Sequence, residues 1–457
     1  MSLLPAVPFV IVTLAAGVIV LLRRLGDETA AGLAGIGLAG AGAAAALLWR
    51  GDPLTGPGVG ADPFTCAMGL VLCGAAAPAV LAARHVRPRP PQLGVILLTL
   101  AAALAAVAAR DLLGVSAALG VVWMGAAFLV GADADERGFV PIVRLATMAG
   151  WAGAVLLFGA ALAVVSVGVS DLDAIRLRVA AVSLDPGLLL PAAVALMGAA
   201  CAFGLIVLPL QVASAHEVSV EAAVGTLVPL TATLAVIVRL FSTAFDPIRN
   251  DWVPVVSVSS GLLMLGGAVG ALVQARLQRA VGWLGVTYAG IVLAALVPTV
   301  RGGTEAALLL MVGWTGALAC AVVAVTTVPG RDAPGPLAAF GWRDGRGGFA
   351  LTVALLTMAG LPATVGFPAR WRLFEALAAD GRVELALTTA AAGLVVLAAC
   401  LRLVRRIWEP MPSSRVRLGE RQVRVPTAAV VVAVVLVGLG IWAAPLITAA
   451  ARVAATF

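Results

Sequence analysis

An arginine just beyond a proline-interrupted apolar stretch is the group in this chain best placed for membrane chemistry. Apolar residues run in from Phe349, stop at Gly360-Leu361-Pro362, and resume as a helix carrying Arg370. Proline removes a backbone donor, and its ring clashes with the preceding turn. In lipid such a break is tolerated only where protein or a water-filled cavity satisfies the freed backbone groups. An ionisable residue beyond the break is a candidate for an ion path. The competing reading is a packed kink at Pro362 with Arg370 snorkelling to the interface. Glu375 is the nearest counter-ion candidate for Arg370, although five residues along a helix is an awkward fit.

Other polar groups lie in or beside apolar stretches. Arg144 could serve a transport path or pair structurally with Asp133, Asp135 or Glu136 at the membrane edge. Glu221 opens an apolar span, where a carboxylate suits a helix N-terminus. With His216 and Glu217 nearby it could instead form the mouth of a proton path. Tyr288, the only tyrosine, has a hydroxyl that seeks a partner when buried, for packing or to hold a water chain. Arg239 reads as an interface anchor.

These residues sit in an extremely apolar chain. It is 62% hydrophobic and 12% charged over 457 residues, with a mean hydropathy of +1.08. That composition excludes a soluble domain and predicts an all-α polytopic membrane protein. The net charge of +7 is no nucleic-acid footprint, because the arginines fall in short loops between apolar spans. Lysine is absent, which removes the most tunable amine. Cys66, Cys73, Cys201, Cys320 and Cys400 are scattered through apolar spans and read as small buried hydrophobes. No metal cluster, phosphate loop, flavin fingerprint or nucleophile motif is present, so no cofactor is expected in this chain. Residues 5–22 lack a basic leader and read as a retained first helix.

A window of about 19 residues resolves the spans. Fourteen follow, with cores at 5–22, 30–49, 65–83, 93–109, 112–131, 140–169, 187–210, 220–244, 253–275, 280–298, 306–328, 349–379, 383–404 and 425–450. Eighteen loop arginines fall on one side and eight on the other. The excess favours both termini outside the cytoplasmic membrane. Span seven runs into Leu208-Pro209-Leu210 and span twelve breaks at Gly360-Leu361-Pro362. Each is the fourth member of a five-helix set. Paired interruptions in equivalent helices point to inverted repeats around a path. The expected organisation is residues 1–92 as three leading helices, 93–245 and 246–404 as the two repeats, and 405–457 as a loop and last helix. Spans rich in Gly and Ala, such as 30–49 and 387–400, suit close helix contacts in a larger complex.

The motifs also carry a resemblance. Leu355-Leu356-Thr357-Met358-Ala359-Gly360-Leu361-Pro362, Gly366-Phe367, then Arg370 beside Trp371, resemble the broken twelfth helix of antiporter-like membrane subunits. These occur in respiratory complex I, membrane-bound hydrogenases and Mrp antiporters. Leu208-Pro209-Leu210-Gln211 resembles their broken seventh helix, and 220–240 their eighth. Gly266 to Gln274, Gln278 to Trp283 and Ala289-Gly290 resemble the ninth and tenth. The length is similar to that of the shorter, N-type subunit of NADH-quinone oxidoreductase. The resemblance implies a proton-translocating membrane subunit, with protons or sodium as the ion. Its partners would be the lipid bilayer and other membrane subunits, and electrons would pass elsewhere.

The resemblance also implies site residues, and here the chain departs from the family. The fifth-span glutamate position holds Gly120, and the seventh-span lysine position holds Gly204. The eighth-span lysine falls at Leu230 or Thr231, and the tenth-span polar residue at Tyr288. Arg144 matches a sixth-span basic residue, and Arg370 holds the twelfth-span lysine position. Glycine cannot titrate, and arginine stays protonated. The alternative to translocation is therefore a structural subunit with a closed proton path. An independent proton-coupled exporter is a third possibility.

Overall fold

A computed structural model describes residues 4–21, 26–56, 58–86, 90–131, 139–181, 189–214, 220–298, 302–326, 340–410 and 427–457. Chains rich in Leu, Val and Ala satisfy every backbone group internally by forming helices, the requirement lipid imposes. The helices in order are α1 Val7–Leu21, α2 Asp27–Arg50, α3 Pro63–Val86, α4 Pro90–Ala108, α5 Leu112–Gly131, α6 Phe139–Val167, α7 Leu172–Ala181 and α8 Leu189–Ala202. After a π-helical turn, Phe203–Val207, come α9 Leu208–Ser214, α10 Val220–Ser242, α11 Arg249–Val273, α12 Leu277–Ala294 and α13 Gly302–Thr326. The series closes with α14 Phe340–Arg343, α15 Gly345–Ala359, α16 Gly366–Ala379, α17 Val383–Ile407, α18 Thr427–Ile441 and α19 Ala444–Ala454. A two-stranded hairpin, Leu54–Thr55 with Gly60–Ala61, joins α2 to α3.

Among the described residues, nine helices are long and apolar enough to cross a membrane, one further pair does so with a bend, and four shorter apolar helices accompany them. Every one of the fourteen apolar stretches read from the sequence has its counterpart there. Span twelve is broken as expected, into α15 and α16. Two spans differ from expectation. The last is not one helix: α18 and α19 meet at 83°, with Pro445 opening α19. The seventh is not broken at Pro209. It widens into the π turn and runs on through α9. The Leu208 N–H donates to Phe203 O, five residues back. A π turn carries an extra residue, so the helix is already widened just before Pro209, whose ring would clash with the preceding turn of a regular helix.

Of the nine long spans, the one in α13 is the most buried and the one ending in α11 the least, 83% against 28%. Small residues let backbones meet. A Cβ on Gly120 of α5 would lie 3.7 Å from the Gly153 Cα of α6. One on Gly290 of α12 would lie 2.5 Å from Met264 N of α11, so only glycine allows that crossing. Arg239 is not an interface anchor. It is 7% exposed and pairs with Asp62 at 3.1 Å. It also donates to Thr65 and to the Val107 carbonyl, tying α10 to α3 and α4.

Candidate functional site

The break in span twelve is built residue by residue. Asp344 accepts from the Gly347 N–H at 3.2 Å and caps the start of α15. Gly360 ends α15 with φ +74°, a left-handed conformation that glycine adopts without steric cost. Ala363 follows at φ +68°, a strained value for a residue with a side chain. The freed backbone is answered by α18. The Val365 N–H donates to Leu436 O at 3.1 Å. A Cβ on Gly440 would lie 2.6 Å from Thr364 N, so glycine there admits the loop.

Arg370, on the second turn of α16, folds back over this break. Its Nη2 donates to the carbonyl of Met358, near the C-terminus of α15, where the helix dipole favours a cation. Its guanidinium lies 5.8 Å from the Trp314 ring centre of α13, a cation–π distance. A Cβ on Gly393 of α17 would lie 2.8 Å from Nη1. Arg370 thus neither snorkels nor pairs with a carboxylate: among the described residues it forms no ion pair, and its buried Nε has no partner.

Glu375 does not reach it. That carboxylate accepts from Trp371 Nε1 at 2.6 Å and pairs with Arg372 at 3.5 Å on the exposed face of α16. Residues three and four apart share a helix face, and five apart do not.

The interior beside Arg370 is neutral. Tyr288 of α12 is fully buried and stacks on Trp314, ring centres 5.5 Å apart and 8° from parallel. Its hydroxyl lies 3.2 Å from Thr315 Oγ1, which lies 3.2 Å from Thr231 Oγ1 of α10. A second cluster sits by span seven. Trp123 of α5, fully buried, donates its Nε1–H to Thr233 Oγ1 at 3.0 Å, and Thr233 donates to Pro229 O at 2.7 Å. Gly204, within the π turn, packs directly on this pair. A Cβ there would lie 2.7 Å from Trp123 Nε1 and closer still to Thr233 Oγ1. Where the family resemblance implies an amine, an indole fills the space. Threonine and indole do not exchange protons near pH 7, and neither does a phenol.

Trp123, Thr233, Trp314 and Thr315 went unflagged in the sequence. Their only signal was isolated hydrogen-bonding side chains inside apolar helices.

The other sequence candidates are not drawn to this centre. Arg144 is exposed near the start of α6, and Asp133, Asp135 and Glu136 lie outside the described residues. His216 and Glu217 also lie outside them. Glu221 is the second residue of α10. Among the described residues no three His, Cys, Asp or Glu side chains are grouped to hold a metal. The five cysteines are buried and free.

The site is thus a discontinuous helix with a buried cation, set beside neutral hydrogen-bonded side chains in a many-spanning helical bundle. Residues 109–395 match the family described as NADH:quinone oxidoreductase/Mrp antiporter, TM, and the chain belongs to that family. It is 31% identical over 162 residues to NADH-quinone oxidoreductase subunit N of Rhodococcus opacus, covering 34% of this chain and 30% of that one. The fold resembles a chain of the Mrp complex from Dietzia sp. (TM-score 0.84, 20% identity, 100% and 98% of the two chains covered). It also resembles a chain of respiratory complex I from Thermus thermophilus (TM-score 0.79, 19% identity, 97% and 99% covered).

Proposed function

We propose that this chain is an antiporter-like membrane subunit of a complex I-related assembly, and that its own central path does not relay protons by titration. The observation carrying the second part is Trp123 lodged against Gly204, with Thr233 as its partner. Proton relay through side chains needs groups that gain and lose a proton near the working pH. Here an indole–hydroxyl pair stands in place of a carboxylate–amine pair, and Arg370 is a fixed charge. The subunit bridges neighbouring membrane subunits in the cytoplasmic membrane with both termini outside, the side the arginine asymmetry favours. Redox chemistry belongs to other chains of the assembly.

The test is proton pumping per electron in the whole complex, reconstituted in vesicles. Arg370→Gln is expected to lower the yield of assembled complex while leaving the ratio unchanged. Loss of pumping with assembly intact would overturn this reading. A second reading, proton or sodium translocation through this subunit, is favoured by one observation: the Tyr288–Thr315–Thr231 hydroxyl chain. Thr315→Val would then lower the ratio, whereas the closed path predicts no change.

A further inference from the structure

Five arginines converge where α11 and α17 end and α12 begins. Arg402, Arg405 and Arg406 stand in the last two turns of α17, spaced to share one face. Arg402 Nη2 donates to Ala271 O at 3.5 Å and to Gln274 O, and Arg406 Nη1 donates to Ala275 O at 3.1 Å. They therefore reach the residues directly before Arg276, which precedes α12, and Arg279 in its first turn.

No acidic residue occurs in 274–280, and the one acid beside the end of α17, Glu409, forms none of the ion pairs found among the described residues. The ion pairs among the described residues involve other arginines. Cations at the first turn of a helix oppose its dipole, so Arg276 and Arg279 are unfavourable there without an anion.

The charge sits at the end of two apolar faces. On α11, Val255, Val258, Leu262, Val269 and Val273 are each at least half exposed and form one stripe along the helix. On α17, Leu394 is 68% exposed and Leu401 48%. Positive charge over exposed apolar helix faces has the layout of an anionic amphiphile: acid headgroup above, acyl chains below. An acidic protein segment would match the charge but not the faces beneath it.

We propose that this corner holds an anionic phospholipid. Arg276, Arg279 and Arg405 bind the headgroup, Arg402 and Arg406 pin α17 to the end of α11, and the tails lie along α11 and α17. In the orientation the arginine count favours, the site faces the cytoplasmic leaflet, where anionic lipids and basic clusters meet.

The test is native mass spectrometry of the full chain, titrated with phosphatidylglycerol or with phosphatidylethanolamine of the same acyl chains. The expected result is at least tenfold tighter retention of phosphatidylglycerol. Arg276→Gln/Arg279→Gln/Arg405→Gln should lose that preference, at about fivefold per arginine. If the triple variant fails to fold, Arg405→Gln alone, at an exposed side chain, reads the same fivefold step. Equal retention of the two lipids by the wild type, or an unchanged preference in the variants, would overturn the proposal. So would photo-crosslinking from position 279 in the assembled complex to an acidic protein segment rather than to lipid.

Discussion

Spans seven and twelve, both interrupted, show how one design diverges. Span twelve is fully broken. It has left-handed Gly360 and Ala363, a backbone bond to α18, and Arg370 closing over the gap. Span seven holds no charge. Its helix only widens at Phe203–Val207, and the space by Gly204 is taken by Trp123. A broken helix exposes carbonyls, and a cation stabilises them. Without a cation, a wider turn that keeps most backbone bonds costs less in lipid than a gap. Between these two spans, the buried charge and the open backbone go together.

The sharpest way to break that comparison is Arg370→Ala. It removes a charge-assisted hydrogen bond and leaves the Met358 carbonyl unanswered, a loss of about 2–4 kcal/mol with the vacated volume included. Thermal melting of the purified full chain should show it as the most destabilised variant of this set. Arg370→Lys keeps a positive charge without the planar reach. It should recover only part of the loss.

Gly204→Ala tests the other region. Its Cβ would meet Trp123 Nε1 at 2.7 Å, and overpacking of this kind costs about 1–3 kcal/mol. Adding Trp123→Ala should make the second substitution less costly than it is alone, a coupling that a double-mutant cycle measures. Additive losses would mean the indole does not occupy that space.

Trp123→Phe keeps most of the ring and removes the donor to Thr233. Thr233 retains Pro229 O as its acceptor, so the expected cost is only about 1 kcal/mol. A much larger loss would show that the neutral cluster is held as a network.

Glu375→Gln should be the mildest change, within about 0.5 kcal/mol, because its pair with Arg372 is exposed. An effect comparable to Arg370→Ala would mean that Glu375 reaches the buried cation in the assembled complex.

Much of this was legible in the residues. The fourteen apolar stretches, the break at Gly360-Leu361-Pro362 and the burial of the cysteines all follow from hydropathy and local backbone chemistry. The partner of Arg370 was not legible. Its contacts come from Met358, Trp314 and Gly393, set on three different helices and brought together only by packing. Glu375 was the nearest acid in sequence, yet it lies on another face of the same helix. The π turn is not legible in the sequence, because Pro209 reads the same in a broken helix and in a widened one. Trp123 and Thr233 are 110 residues apart, and nothing in either neighbourhood announces the other.

The sequence by itself determined that this is a helical membrane protein and where its helices run. In lipid those properties depend on short-range composition, through hydropathy and the need to satisfy the backbone locally. It also determined that glycine stands at Gly120 and Gly204 and that every basic side chain but histidine is an arginine. Only the tertiary structure decided that an indole packs against Gly204, that the hydroxyls of Tyr288, Thr315 and Thr231 line up, and that Arg370 rests on a carbonyl and an aromatic face. Those outcomes depend on which side chains from distant helices share a volume, and packing alone fixes that.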